Sequence, residues 1–224
     1  MLVQRLVIRL LPLEVLFVGS VILGWTIFQL DPVSALHLDA AAPGLAAEAS
    51  VPAASASSPA ALSAVFTPEV QRWAAELTAW AGTVGLDPNL AATVMQIESC
   101  GWRGAVSRSG AQGLFQVMPF HFATGEDMQD PATNAQRGLA YLALGLERAG
   151  GDVGRALAGY NGGHSQIGKD PALWPTQTQR YWYWGTGIYA DAISGQATSP
   201  RLQEWLQAGG ASLCAQAAQT AGPQ

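Results

Sequence analysis

The helical character of this chain is clearest in the stretch DPNLAATVMQIESCGW, residues 87–102. Asp87 is followed by Pro88, a pair typical of a helix start, because an Asp side chain caps the first turn and a proline fits its first position. The apolar residues that follow predict a helix ending near Glu98. The segment therefore ends with a carboxyl group directly after an apolar run.

Glu98 falls on the apolar side of this predicted helix. At about 100° per residue, Ala91 and Val94 lie within roughly 40° of Glu98. The polar residues lie on the opposite side, which we expect to face water: Asn89, Thr93 and Gln96. A carboxyl group turned toward the core loses solvation, so its pKa rises and it stays protonated, as a general acid must. Glu98 is therefore the predicted catalytic acid.

Similar start and stop signals occur through the second half of the chain. They delimit further predicted helices over residues 67–84, 130–149, 152–161, 175–194 and 199–208. No segment shows the two-residue alternation that is typical of strands. We therefore predict an all-α domain with short loops.

The composition argues against a nucleic-acid-binding protein. Charged residues make up 12% of the 224 residues, the net charge is -5, and Lys169 is the only lysine. Proteins that bind nucleic acids usually carry a basic patch, and no basic cluster is present here.

Residues 10–30 predict a membrane anchor. They are almost wholly apolar and follow Arg5 and Arg9. The run approaches the ~20 residues that a spanning helix needs, whereas the apolar core of a signal peptide has roughly 7–15. The arginines place residues 1–9 in the cytoplasm and the rest outside, as a single-pass protein of the cell membrane. A cleaved signal sequence, which would leave the protein secreted, is the alternative.

Residues 31–64 are predicted to be a flexible linker because they are rich in Ala, Ser and Pro. The prolines weaken the alternative of an Ala-rich helix. Residues 65–224 then form the working domain, behind the anchor and the linker.

The chain has two cysteines, Cys100 and Cys214. In the oxidising environment outside the cell they are expected to pair, and closing a loop of this length stabilises by roughly 4–5 kcal/mol in the chain-entropy model. Two buried thiols are the alternative. No residues show metal-ligand spacing, so neither a metal nor a cofactor is expected.

The segment from Glu98 onward, ESCGWRGAVSRSGAQGLFQVMP (residues 98–119), resembles the signature of the soluble lytic transglycosylases, relatives of goose-type lysozyme. Two later blocks resemble that family in the same order: ALAGYNGG (residues 156–163) and TQTQRYW (residues 176–182). The resemblance spans roughly residues 67–192 and implies a lysozyme-like helical domain.

The resemblance implies an enzyme that cuts peptidoglycan glycan strands. Glu98 would protonate the β-1,4 glycosidic oxygen between N-acetylmuramic acid and N-acetylglucosamine. It would then accept the proton of the C6 hydroxyl, which attacks C1 and leaves a 1,6-anhydromuramyl end. The 2-acetamido group supports the charge at C1, so a second carboxylate is not needed. No acid occurs between Glu98 and Glu126, which agrees with such a mechanism.

The resemblance also assigns substrate-binding roles to six residues: Ser107, Gln116, Met118, Tyr160, Asn161 and Tyr181. Ser107 and Gln116 would bind substrate or orient the site, and Met118 would line the muramyl subsite. Tyr160 and Asn161 would lie across from Glu98.

The chain departs from the family pattern in its last block. Gln177 replaces the family's glutamate, and the following segment YWYWGTGIYADA is unusually rich in aromatic residues. We expect Trp182 and Trp184 to be core residues rather than sugar platforms. His121 and His164 lack the partners of a metal site or catalytic triad and are expected to be non-catalytic.

Two other functions fit the same residues. A hydrolytic lysozyme on this scaffold would use water in place of the C6 hydroxyl. A non-catalytic module would bind the wall without cutting it. In each case the partner is peptidoglycan, with the membrane contacted through the N-terminal helix, and the sequence indicates no protein partner.

Overall fold

The computed structural model describes residues 62–220. The predicted cytoplasmic segment 1–9, the anchor 10–30 and nearly all of the linker 31–64 lie outside this range, so they stay predictions. Within residues 62–220, no helix is both long and apolar enough to cross a membrane.

The described part of the chain is helical. Its α-helices are α1 (Pro68–Gln71), α2 (Ala74–Thr83), α3 (Pro88–Glu98), α4 (Pro131–Arg148), α5 (Val153–Gly162), α6 (Thr176–Ile193), α7 (Pro200–Trp205) and α8 (Ala211–Thr220). Short 3-10 turns lie at Pro119–His121, His164–Gln166 and Pro171–Leu173. Strand-like pairing in this range is limited to isolated bridges in the loop after α3. The all-α prediction is confirmed for these residues.

Side-chain caps explain where four of these helices begin. In each case an oxygen accepts a hydrogen bond from a backbone N–H of the first turn, at 2.8–3.0 Å. The capping residues are those that the sequence indicated: Asp87, Asp130, Asp152 and Ser199. Such caps satisfy amide groups that have no partner inside the helix.

The predicted helix over residues 67–84 is wrong as a single element. Trp73 has non-helical backbone angles and separates α1 from α2. Its indole N–H donates to the Gly101 carbonyl at 3.0 Å, so a contact with the loop after α3 holds the chain at the break. Thr67 makes no capping bond, and its hydroxyl lies 3.3 Å from the Cys100 sulfur.

The prediction that one side of α3 faces water is also wrong. Asn89, Thr93 and Gln96 are all buried, because α1, α2 and α6 pack around α3. Their polar groups bond within the protein: the Asn89 and Gln96 side-chain oxygens accept from backbone N–H groups at 2.8 and 3.1 Å, and the Thr93 hydroxyl donates to a carbonyl at 2.7 Å. Helix α3 is therefore the central helix of the domain.

A disulfide joins Cys100 to Cys214, as the sequence predicted. Cys100 has a φ of 49° and Gly101 a φ of 78°, so the chain turns sharply after α3 and brings the sulfur to α8. The last predicted helix does not stop at Gly209, because a wide turn over Leu206–Gly210 leads directly into α8. The bridge therefore fixes the C-terminal helix next to the end of α3.

Candidate active site

Glu98 is the last residue of α3, and most of its side chain is enclosed while part of the residue remains exposed. Burial raises the pKa of its carboxyl group to about 8, and an interaction with the Tyr181 hydroxyl opposes this rise. No second carboxylate contributes to the shift. At neutral pH the carboxyl group is therefore mostly protonated.

Two tyrosines lie beside Glu98. The rings of Tyr160 and Tyr181 are stacked with centroids 6.4 Å apart. Burial, and then the negative charge that Glu98 can carry, raise the pKa of both hydroxyls well above the usual value. The Tyr160 hydroxyl donates to the Phe115 carbonyl at 2.7 Å, whereas the Tyr181 hydroxyl is buried without a hydrogen bond of normal geometry. The interaction between the Tyr181 hydroxyl and the Glu98 carboxyl therefore lies outside normal hydrogen-bond geometry.

Three side chains hold the loop over residues 112–116, one directly after α3, one from α4 and one from α5. Ser99, the residue after Glu98, donates its hydroxyl to the Leu114 carbonyl at 2.7 Å. Asn134 of α4 accepts from the Phe115 N–H and donates to the Gln112 carbonyl, both at 2.8 Å. With Tyr160 of α5, these contacts place the loop at a fixed position relative to Glu98.

The backbone of this loop requires glycine at residue 113. Gly113 has a φ of 74°, a conformation that side chains disfavour. A Cβ at this position would collide with the Asn134 side chain. Gln116 also has a positive φ, 47°, and its side-chain N–H groups donate to the carbonyls of Ala105 and Gly113 at 3.1 and 3.0 Å.

Four of the predicted substrate-binding residues line one cleft of about 180 Å³: Gln116, Met118, Tyr160 and Asn161. The Asn161 side-chain oxygen accepts from the Thr178 hydroxyl at 3.1 Å. Ser107 is not among the residues that line the cleft. Its hydroxyl accepts from the Ala111 N–H at 2.9 Å and so closes its own loop.

One wall of the cleft consists of residues to which sequence reasoning gave no substrate role. Phe120, His121 and Tyr141 line it together with Gly138. Tyr141 stacks on His164, with ring centroids 3.9 Å apart. A sequence signal did exist, because Gly138 and Tyr141 share a face of α4 with Asn134 at helical spacing.

His164 connects α4 to the turn after α5. Its Nδ1 lies 2.8 Å from an Arg148 nitrogen, and its Nε2 lies 3.1 Å from the Tyr141 carbonyl. Because arginine only donates, Nδ1 accepts and Nε2 carries the proton, which is the neutral form of the ring. Burial and the Arg148 charge lower the pKa of His164 in agreement.

The aromatic segment of α6 is more exposed than expected. Trp182 and Tyr183 are 38% and 41% exposed, so the prediction of a core position is wrong for Trp182, whereas Trp184 packs partly against the core.

The buried face of α6 instead carries Tyr181 and Gly185, and a Cβ at residue 185 would press on Leu157. Gln177 is exposed in the first turn of α6.

Potential metal ligands meet at one place among residues 62–220: Glu69, Cys100 and Cys214. Both sulfurs there belong to the disulfide and are not available as thiolate ligands.

Part of this chain is similar to a known protein family and to a phage protein. Residues 77–182, which contain Glu98 and the cleft, match the family model described as the transglycosylase SLT domain. A protein of Enterobacteria phage PRD1 named "Transglycosylase" is 37% identical over 115 residues, which is 49% of this chain and 40% of the phage protein. The match thus spans less than half the length of that curated relative.

A solved structure is also similar. It is an inactive mutant of the lytic transglycosylase Slt from Pseudomonas aeruginosa. The match has a TM-score of 0.46 and 23% sequence identity, and it covers 60% of this chain and 26% of the other.

Proposed function

Because residues 77–182 of this chain match the family model of the transglycosylase SLT domain, we propose that the protein is a peptidoglycan lytic transglycosylase. It cleaves the β-1,4 bond between N-acetylmuramic acid and N-acetylglucosamine and leaves 1,6-anhydromuramyl ends. The observation that carries the proposal is Glu98, a carboxyl group inside this domain whose pKa is raised to about 8.

In the first step Glu98 acts as a general acid. A carboxyl group with a pKa of about 8 is mostly protonated at pH 7, so it can donate its proton to the glycosidic oxygen. The bond from that oxygen to C1 of the muramyl residue then breaks, and the N-acetylglucosamine side leaves with the proton. Glu98 remains as a carboxylate.

In the second step the same residue acts as a base. The Glu98 carboxylate accepts the proton of the C6 hydroxyl, and the C6 oxygen forms a bond to C1 of the same sugar. The proton lost in the first step is thereby recovered and no water is consumed. The 2-acetamido group of the sugar can support the positive charge at C1 in between.

The surroundings of Glu98 favour a mechanism with a single protein carboxylate. Most glycosidases use a pair of carboxyl groups on either side of the bond. Burial and Tyr181 account for the shifted pKa of Glu98 without any contribution from another acid. We assign the nucleophile to the substrate, in keeping with the lack of an acid between Glu98 and Glu126 in the sequence.

The remaining residues bind and position the strand. The amides of Gln116 and Asn161 offer hydrogen bonds to hydroxyl and acetamido groups, and Met118 offers apolar contact. Ser99 and Asn134 do not touch the substrate but hold the loop that carries Gln116. This arrangement keeps the sugar at a constant distance from the acid, which is a large part of catalysis.

The N-terminal residues extend the proposal to the location of the enzyme. Residues 10–30 anchor it in the cell membrane, and residues 31–64 tether the domain outside with a reach of about 30 Å. Removal of residues 1–30 is expected to release the protein from the membrane fraction and to leave the cleavage rate of dissolved wall fragments unchanged. Release without the deletion would indicate a cleaved signal sequence instead.

Digestion of purified peptidoglycan sacculi tests the reaction. The full chain is compared with Glu98→Gln and with Glu147→Gln, an exposed acid on α4 that serves as the control. We expect anhydromuropeptides, one water lighter than hydrolysis products in a mass spectrum, from the wild type and from Glu147→Gln. Glu98→Gln should lose a factor of about 10² or more in rate.

Other products would change the proposal. Muropeptides with reducing ends that still require Glu98 would identify a hydrolytic lysozyme. No product from a folded wild-type protein that still sediments with sacculi would identify a wall-binding module.

A further inference from the structure

Phe120 is unusually exposed for an aromatic residue. It lies in the 3-10 turn Pro119–His121, directly after Met118, and 75% of its surface is exposed. The nearby Phe122 packs against the core, whereas Phe120 contributes nothing to it. Phe120 also lines the rim of the candidate cleft. Single exposed apolar side chains are common on protein surfaces, so the position of Phe120 on the rim of the cleft, and not its exposure alone, points to a contact with a ligand.

The ring of Phe120 rests on a series of other rings. Its centroid lies 4.5 Å from that of His121, which lies 4.7 Å from that of Tyr141. Tyr141 in turn stacks on His164 with an interplanar angle of 9°. Since His164 is bonded to Arg148 and to the Tyr141 carbonyl, this row of rings is held in place at its inner end.

The residues lining the cleft carry no formal charge at neutral pH. They are amides, glycines, apolar residues, tyrosines and His121, whose pKa is lowered by burial. The hydrogen bonds of Gln116 use its side-chain N–H groups, so its side-chain oxygen remains an acceptor for a ligand. The hydrogen bond of Asn161 uses its side-chain oxygen, so its N–H groups remain donors. Such a surface suits a neutral ligand with both apolar faces and polar edges.

A pyranose ring has this character, because its C–H groups lie on the faces and its hydroxyl and amide groups lie on the edge. We propose that Phe120, supported by the neighbouring His121 ring that is tilted 46° to it, forms an aromatic platform that binds the face of one sugar ring of the glycan strand at the rim of the cleft. This inference rests on the proposed function. The cleft volume of about 180 Å³ is below the usual 300–1,000 Å³ of ligand sites, so we expect a strand to continue over the rim.

Soluble glycan strands stripped of their peptide stems test the platform. Binding is measured by titration calorimetry with full-length Glu98→Gln protein, which does not consume the ligand, and cleavage is measured with the wild type. In the Glu98→Gln protein, Phe120→Ala should weaken binding about tenfold, whereas Phe120→Tyr should retain it. Leu173→Ala is the matched control, because Leu173 is 74% exposed and does not line the cleft.

Kinetics separate a platform from a structural role. Phe120→Ala in the wild type should raise KM by the same factor and leave kcat within about twofold, because the ring contacts the strand away from the bond that is cut. Unchanged binding in Phe120→Ala would overturn the platform. So would a loss seen only with strands that retain peptide stems, since Phe120 would then contact the peptide.

The two proposals fail in different ways. If stripped strands bind and Phe120→Ala weakens that binding, but the wild type releases no product, the enzymatic proposal is contradicted and the platform is supported. If the wild type and Phe120→Ala both cleave strands with the same KM, the enzymatic proposal is supported and the platform is contradicted. Failure of Glu98→Gln to bind stripped strands at all would also overturn the platform.

Discussion

The Tyr181 hydroxyl interacts with the Glu98 carboxyl and makes no hydrogen bond of normal geometry within the described residues. Buried hydroxyls usually have a partner, so this position is an exception. The interaction lowers the pKa of Glu98, whereas burial raises it by more. Tyr181 therefore limits how far burial raises the pKa of Glu98.

Replacing Tyr181 with Phe should raise the pKa of Glu98 further above 8, because the group that opposes its rise is lost. An acid catalyst is active while protonated, so the alkaline limb of kcat/KM should move upward, by up to about one pH unit. The measurement is a pH–rate profile between pH 5 and 10.

Tyr183→Phe is the control for this experiment, because the Tyr183 hydroxyl donates to the exposed Glu204 of α7 and not to Glu98. Its profile should match that of the wild type. A downward shift of the limb in Tyr181→Phe would contradict the assigned role of the hydroxyl.

Glu98 should also make stability depend on pH. Its pKa rises from 4.5 to about 8 on folding, so the folded state retains a proton that the unfolded state releases. The stability that this retention provides is fully present below pH 4.5 and is lost as the pH rises toward 8. Over that range the free energy of unfolding should fall relative to Glu98→Gln by at most about 1.4 kcal/mol per pH unit.

Urea denaturation of the two proteins at several pH values measures this difference. The curves of unfolding free energy against pH should converge below pH 4.5 and separate above it, with Glu98→Gln the more stable protein at pH 8. Parallel curves across the range would show that Glu98 is not desolvated in the folded protein.

Asn134→Ala should loosen the loop that carries Gln116. The variant removes three hydrogen bonds, a buried one to the Phe115 N–H and two partly buried ones to the carbonyls of Gln112 and Met128. We expect a loss of roughly 2–4 kcal/mol in unfolding free energy, because the backbone groups stay buried without partners. KM for soluble glycan strands should increase as well.

Asn89→Ala provides the comparison for Asn134. Asn89 is a buried amide at the start of α3, bonded to the Ser63 N–H and outside the cleft. This variant should lose stability while KM stays unchanged. Equal KM values in all three proteins would show that the Asn134 contacts do not position the loop.

Loss of the disulfide should destabilise the domain without abolishing its fold. The bridge joins residues 114 positions apart. Replacing both cysteines with Ala should lower the free energy of unfolding by about 3–5 kcal/mol, since the unfolded chain is no longer restricted. Denaturation of the wild type with and without reductant gives the same comparison, and superimposable curves would contradict the expectation.

Local signals determined much of what could be predicted. Asp87, Asp130 and Asp152 cap helices where the sequence indicated them, because a cap bonds to an N–H only two or three residues away. The enclosure of Glu98 followed in the same way from its apolar neighbours within two turns of α3. Interactions of such short range depend little on the rest of the chain.

Tertiary structure alone decided the features that depend on distant segments. Asn89, Thr93 and Gln96 are buried because helices from both sides of the sequence surround α3, which no periodicity within α3 can reveal. The aromatic wall of the cleft likewise needs His121 to contact Tyr141, which lies twenty residues later in the sequence. The sequence by itself therefore predicted where several helices begin and that Glu98 is enclosed, while long-range packing decided which polar groups are buried and which rings face the cleft.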